Sequence, residues 1–389
     1  MHFDIFIAGA GPAGLACAGE LASEFEVGIA EEHPELGNIS CTGVLGIKSL
    51  ERLGIDYKDS VLSYIKSARL HSNTENLEFS FSKPVAVVVD RAAFDRGLGE
   101  NALDEGAEIL TSTRVVKVER KRKGWKIKLL REGKIEEVEA KVLIGADGFR
   151  SEIALSQGLR ERWKPAHILS CYQLEVNCSA ELTEVYFTHH ARNFFAWKVP
   201  AGEKCRVGLC SRGTTLSPKS ALKKLVSEKG IEGEILAETG DVIPLGIINK
   251  TYAESLLIVG EAAGFIKPIT GGGVIFGITS GKLAAEVLKD AGNFSEGSLS
   301  RYEKLWKKNM GREINFGLHF SKLFHSLTGE ELDKIFRTLD KEAVDEIKKN
   351  FSFDRHSFLL KVALRHGYRI FRALGTRRSA ELLGELRKI

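Results

Sequence analysis

The chain begins with Phe3-Asp4-Ile5-Phe6-Ile7-Ala8 running directly into Gly9-Ala10-Gly11-Pro12-Ala13-Gly14-Leu15. An apolar strand that enters G-x-G-x-x-G and leaves as an Ala-rich helix closes as the strand–turn–helix unit of a doubly wound α/β sheet. The first glycine permits the tight turn, the second lets backbone approach a pyrophosphate, and the third lets the helix pack on the strand. The helix start adds unbonded N–H groups and the positive end of its dipole. A second strand, Val27-Gly28-Ile29-Ala30, then ends on Glu31, where an acid holds ribose hydroxyls. A glycine-rich turn alone is weak evidence, but strand, helix, second strand and acid in this order mark a dinucleotide site. An acid at 31 suits a free ribose, so FAD or NAD fits better than NADP.

The 389 residues, 43 % hydrophobic and 28 % charged, allow two or three domains with a substantial core. A net charge of +4, from 56 basic and 52 acidic residues, is too small a surplus to argue for nucleic acid. The six cysteines (Cys17, Cys41, Cys171, Cys178, Cys205, Cys210) show no C-x-x-C and no zinc spacing. No metal site is expected, and the thiols are expected to be reduced in an intracellular chain without a signal peptide. No apolar run reaches the length of a membrane span.

Beyond Glu31 a loop to Thr42 leads into a short helical pattern through Leu45, Leu50 and Leu53. Residues 65–89 alternate as strands and end in Val85-Ala86-Val87-Val88-Val89. Asp90-Arg91 opens a helix with Phe94, Leu98, Ala102 and Leu103 on one side, stopped at Gly106. Strands over 114–118, 125–130 and 138–144 lead into Gly145-Ala146-Asp147-Gly148; mostly antiparallel strands follow over 165–247, broken by a helix near 217–229. A short strand at 255–260 precedes Gly271-Gly272-Gly273 and a helix over 275–290, and everything beyond 298 reads as helix.

Four motifs then stand in order: G-x-G-x-x-G at Gly9, Asp90-Arg91-x-x-Phe94-Asp95, Gly145-Ala146-Asp147-Gly148-x-x-Ser151, and Gly260-Glu261-Ala262-Ala263-Gly264 continuing through Pro268 to Gly271-Gly272-Gly273-Val274. Together they resemble the FAD-dependent oxidoreductases of the p-hydroxybenzoate hydroxylase type. The resemblance implies an α/β fold: a Rossmann-type FAD-binding domain (1–64, 90–160 and 248–298), an inserted antiparallel sheet domain for substrate (65–89 and 161–247) and a C-terminal helical region (299–389). It implies FAD as cofactor, held by Gly9, Gly11, Ala13, Gly14, Glu31, Cys41, Thr42, Arg91, Val115, Asp147, Gly148, Glu261, Gly272, Gly273 and Val274. Glu261 stands where the family has Asp, one methylene shorter.

Two further stretches are similar to the geranylgeranyl reductase branch of that fold. Ser40-Cys41-Thr42-Gly43-Val44-Leu45 matches its flavin-side Cys loop, and Phe194-Phe195-Ala196-Trp197-Lys198-Val199-Pro200-Ala201-Gly202 resembles its Y-x-W-x-F-P-x-G signature. Phe195 replaces the Tyr, so a lining role is kept and a proton-donor role is not. The resemblance makes Phe195 and Trp197 substrate-pocket residues, and Cys41, or a water near it, the catalytic acid for hydrogenating isolated C=C bonds of geranylgeranyl chains. Taken by themselves, alternating aromatics pack a sheet face and a small buried Cys packs a core.

A C20 chain loses roughly 0.8 kcal/mol per CH₂ on entering water, so its pool is membrane-bound. Residues 355–380 carry seven Lys and Arg and no acid among large apolar side chains. That composition suits an interfacial helix on anionic lipid at the inner face of the cell membrane, and equally a helix packed on the core. With no second G-x-G-x-x-G, the electron donor is NAD(P)H bound transiently, a ferredoxin-like protein or a reduced quinone. The rival functions are an aromatic monooxygenase on the same fold and a flavin redox carrier at a membrane surface.

Overall fold

The computed structural model describes residues 1–37, 41–213, 216–324 and 326–375. The first strand, His2–Ala8, is apolar because both its faces are covered, and it lies between parallel neighbours Lys134–Gly145 and Val27–Ala30. Leu256–Ile258 and Glu108–Leu110 extend this parallel core on either side, Tyr252–Ala253 pairs antiparallel with Leu256–Ile258, and Thr113–Lys121 with Gly124–Arg131 continue the sheet antiparallel, giving eight strands in all. The helices Pro12–Leu21 and Val274–Asp290 pack against each other through small residues. A methyl on Gly281 would stand 2.2 Å from the Ala13 carbonyl oxygen.

Asp90 caps the helix Arg91–Asp104 by accepting the Ala93 N–H at 2.9 Å, and the chain leaves through Gly106 at φ +103°. Phe94, Leu98 and Ala102 face inward, whereas Leu103 is 51 % exposed. Steps of four keep one stripe inward, and residue 103 lies about 100° further round.

The inserted seven-stranded sheet runs Ile235–Pro244, Ile168–Val176, Lys204–Ser211, Ala196–Ala201, Thr183–Tyr186, Ser67–His71 and Asn76–Ser80. All neighbours are antiparallel except the pair Thr183–Tyr186 and Ser67–His71. The helix Pro218–Glu228 buries Leu222 and Leu225 on one face of this sheet; the other face looks toward the dinucleotide domain.

Three expectations are corrected. Ala86–Val89 does not join the inserted sheet with the rest of 65–89. It forms the middle of a separate three-stranded sheet with Val44–Gly46 and Val61–Ile65, because an apolar run of this kind must be covered on both faces. Leu45 therefore lies in a strand, and the short helix Ile47–Arg52 starts after it. The thiols are not all reduced: Cys171 and Cys210, opposite each other across two strands, form a disulfide, as do Cys178 and Cys205. Partners 39 and 27 residues apart meet only through strand pairing, which no local spacing reveals.

Helices from Glu296–Trp306 to Phe358–Leu374 make up the C-terminal region. No helix among the described residues is long and apolar enough to cross a membrane.

Candidate functional site

Each glycine of the first turn has its own geometric reason. Gly9 has φ +108°, and a Cβ there would meet the Ala146 carbonyl oxygen at 2.3 Å, so it locks the first strand against the Gly145-Ala146-Asp147 turn. A Cβ on Gly14 would stand 2.1 Å from the Gly9 carbonyl oxygen. Gly11, by contrast, has nothing within 4 Å of that position, so the turn opens onto free space in front of a helix start with no side-chain cap. That is the cradle a pyrophosphate requires.

The other motifs gather around this opening. Glu31 accepts the Ala10 N–H at 2.9 Å through one oxygen, and through the other meets the His33 N–H and ring at 3.0 and 2.6 Å. Thr113 donates its N–H to the Glu31 carbonyl at 2.7 Å, which brings the strand bearing Val115 beside the ribose-binding position. Arg91, 6 % exposed, donates from Nε and Nη2 to the Asp95 carboxylate at 2.9–3.1 Å. Burial pulls the Arg91 pKa down, but the Asp95 carboxylate outweighs it and holds the guanidinium charged. Cys41 Sγ accepts the Gly43 N–H at 3.3 Å. Glu261 faces the same arginine: burial first, then Asp241, push its carboxyl up to about 8 against the opposing Arg91 charge.

The glycine loop closes on itself, with Lys267 N–H bonded to the Gly272 carbonyl at 3.0 Å and Gly271 N–H to the Lys267 carbonyl at 2.8 Å. Gly271, at φ +74°, lies against Ile243 and Phe194 of the inserted sheet. From there the rings continue: Phe194 stacks on Phe195 at 4.5 Å, Phe195 meets Trp197 at 6.0 Å and Phe187 at 6.4 Å, and Phe187 meets Phe324 of the C-terminal region at 5.0 Å. Phe324, Phe320 and Phe316 follow at helical spacing with centroids 5.8 and 5.3 Å apart.

Residues 2–290 match the family model described as FAD binding domain. The chain is 31 % identical over 381 residues to digeranylgeranylglycerophospholipid reductase 2 of Methanopyrus kandleri, covering 90 % of this chain and 93 % of that protein. The chain belongs to the geranylgeranyl reductase family of FAD-binding oxidoreductases. It is equally 31 % identical, over 96 % of its length and 98 % of the other's, to an uncharacterized protein of Methanocaldococcus jannaschii. Among solved structures, a geranylgeranyl bacteriochlorophyll reductase-like protein of Thermoplasma acidophilum shares the fold, with TM-score 0.86, 24 % identity and coverage of 96 % of this chain and 98 % of that one.

As a member of this family the chain binds FAD, and its open Gly11 turn fits that cofactor. Ala10 is joined to Glu31, Arg91 lies in electrostatic reach of both Cys41 and Glu261, and a Cβ on Gly260 would stand 2.7 Å from the Ala13 methyl. Gly272 and Gly273 lead into the helix Val274–Asp290, with Gly273 at its N-cap. The two oxygens of Asp147 accept from Ser151 Oγ at 2.8 Å and Ile153 N–H at 3.1 Å. With Gly148 at φ +66° it holds the turn that meets Gly9. Thr42 points to the inserted sheet, its hydroxyl donating to Gln173 Oε1 at 2.7 Å. Ser40 lies outside the described residues.

Sequence reading missed the residues that tie the Cys41 loop in place. Gln173 also accepts from Trp197 Nε1 at 3.4 Å, and Arg206, 7 % exposed, donates to the carbonyls of Thr42 and Val89 at 2.9 and 3.0 Å while bonding Glu175. Gly208 supplies the room for Trp197 to lie flat, since a Cβ would stand 2.4 Å from the indole. Lys267 was also missed. Its ammonium, 5 % exposed, bonds Asp354 at 2.7 Å, and its stem lies 2.7 Å from where a Gly272 Cβ would be. None of these carries a local signal; each is defined by a partner on another element.

Proposed function

We propose that this chain reduces isolated C=C bonds of geranylgeranyl chains on membrane glycerolipids. The observation that carries the reading is the aromatic path from Phe194, beside the glycine loop, through Phe195, Phe187 and Phe324 to Phe316. A phenolic substrate would want polar groups there; an isoprenoid wants an apolar, water-excluding wall. The relatives named digeranylgeranylglycerophospholipid reductase support the same substrate class.

When bound and reduced, the flavin supplies a hydride. The alkene is unpolarised, so one carbon takes that hydride while the other takes a proton, and the cation character that develops must be kept from water. We assign the proton to Cys41 Sγ. The Arg91 guanidinium lies beside it, and Gly43 N–H bonds the same sulfur. Gln173, Thr42 and Arg206 keep the Cys41 loop fixed against the sheet that bears Trp197. The assigned roles of Gly9, Gly11, Ala13, Gly14, Glu31, Val115, Glu261, Gly272, Gly273 and Val274 are to bind the cofactor and present its edge to the Phe195–Trp197 side.

The single G-x-G-x-x-G turn would hold FAD, so NAD(P)H bound transiently, a ferredoxin-like protein or a reduced quinone would supply the electrons. The helix Phe358–Leu374 supports work at a lipid surface on the inner face of the membrane, with Lys361, Tyr368 and Arg372 facing outward. Arg365 and Arg369 are engaged with Glu346 and Asp340 of the preceding helix, so only part of the basic face serves a membrane. The rest of the basic segment, 376–380, lies outside the described residues. Mass spectrometry of lipid extracted from the purified holoprotein tests the reading: a C20 isoprenoid supports it. Turnover of NADPH driven by phenols and indifferent to prenyl lipid would replace it with the monooxygenase.

A further inference from the structure

We propose that His189, His190 and Glu228 bind one borderline divalent transition-metal ion, of which Zn²⁺ is the best fit. The ion would clip the turn that enters the aromatic wall to the helix behind the sheet. The donors come from two elements: the two histidines open the short turn His189–Ala191, and Glu228 ends the helix Pro218–Glu228. One ligand atom from each lies within 4.8 Å of the other two. His190 Nε2 already meets Glu228 Oε2 at 2.8 Å, and the two imidazole centroids are 3.9 Å apart.

Two imidazoles and one carboxylate are the donor set that Zn²⁺ takes with a fourth position left for water, whereas Mg²⁺ and Ca²⁺ ask for oxygen alone. Tetrahedral bonds of about 2.0–2.1 Å place donors about 3.3 Å apart, so the His190–Glu228 contact has to open by about half an ångström. Glu228 sits at a helix end and is exposed enough to move that far. The metal then replaces the proton that these two groups share. Glu228 Oε1 is 3.6 Å from Lys229 Nζ, which leaves Oε2 as the ligand.

The turn is already fixed at both ends. His190 N–H bonds Thr188 Oγ1 at 3.3 Å, and Phe194 N–H bonds the Ala191 carbonyl at 3.0 Å. An ion here would therefore brace the backbone that carries Phe194 and Phe195 without touching the flavin cleft.

The test uses the full-length, FAD-loaded protein, stripped with a chelator and titrated with ZnCl₂, with CoCl₂ as the spectroscopic probe and MgCl₂ as control. One equivalent of Zn²⁺ should bind, Co²⁺ should give ligand-field bands of tetrahedral intensity, and Mg²⁺ should not bind. H190A and E228Q should each weaken Zn²⁺ by more than about tenfold while leaving flavin content unchanged. E228Q keeps a hydrogen-bonding partner for His190, so its metal-free melting should match the parent. Absence of saturable Zn²⁺ binding, or binding that is unchanged in both E228Q and H190A, would overturn the assignment.

Discussion

Gly11 and Gly14 look alike in the sequence and differ sharply in what surrounds them. A methyl on Gly11 enters open space, so the G11A apoprotein should unfold in urea like the parent apoprotein yet bind FAD at least about tenfold more weakly, because the methyl occupies the pyrophosphate cradle. A methyl on Gly14 meets backbone, so G14A should lose stability as well, by roughly 1–3 kcal/mol. Equal stability for the two variants would contradict this division of roles. Glu261, held neutral up to about 8, gives a pH test. Between the ordinary Glu range and that value the folded apoprotein keeps a proton that the unfolded chain has lost. This group's contribution to stability therefore falls as pH rises through the window. Chemical denaturation of the apoprotein across pH should show a shallower decline in E261Q than in the parent; an identical slope would mean that Glu261 is ionised throughout.

Among the elements, those announced by their own residues were legible: the first strand–turn–helix, the helix capped by Asp90, the alternating strands of the inserted sheet, the helix at 218–228. What was not legible depends on which element lies across from which. Val85-Ala86-Val87-Val88-Val89 reads as a buried strand without saying which sheet buries it, and Cys171 and Cys210 become a pair only through the register of their strands. In the site, Gly9, Glu31 and Arg91 were visible as motif positions, while Gln173, Arg206 and Lys267 gain meaning only from the loop that each one holds. The disulfides give an element-level prediction. Each closes a loop of 39 or 27 residues, for which chain entropy suggests about 3–4 kcal/mol, and the second adds less because its loop lies inside the first. Reduction before denaturant unfolding should lower stability by about that amount; an unchanged midpoint would mean that the pairs do not form.

At the scale of the molecule, the C-terminal region supports the glycine loop from below. The segment after the helix Lys341–Asn350 brings Asp354 to Lys267 under the glycine loop, and Gly317 lets the helix Arg312–Phe324 pack on Pro268, where a Cβ would meet the ring at 2.8 Å. K267M leaves the Asp354 carboxylate buried without its countercharge and should cost about 3–5 kcal/mol of stability, most of it regained in K267M/D354L. No rescue in the double variant would remove the ion pair as the reason. The proposed hydrogenation of a prenyl chain draws on all of these parts, from the open turn to the aromatic path. The most direct measurement is mass spectrometry of digeranylgeranyl glycerophospholipid after anaerobic incubation with the dithionite-reduced holoprotein. Successive gains of two mass units, lost in C41A, are predicted; lipid recovered at its starting mass while the flavin stays bound and reducible would contradict the account.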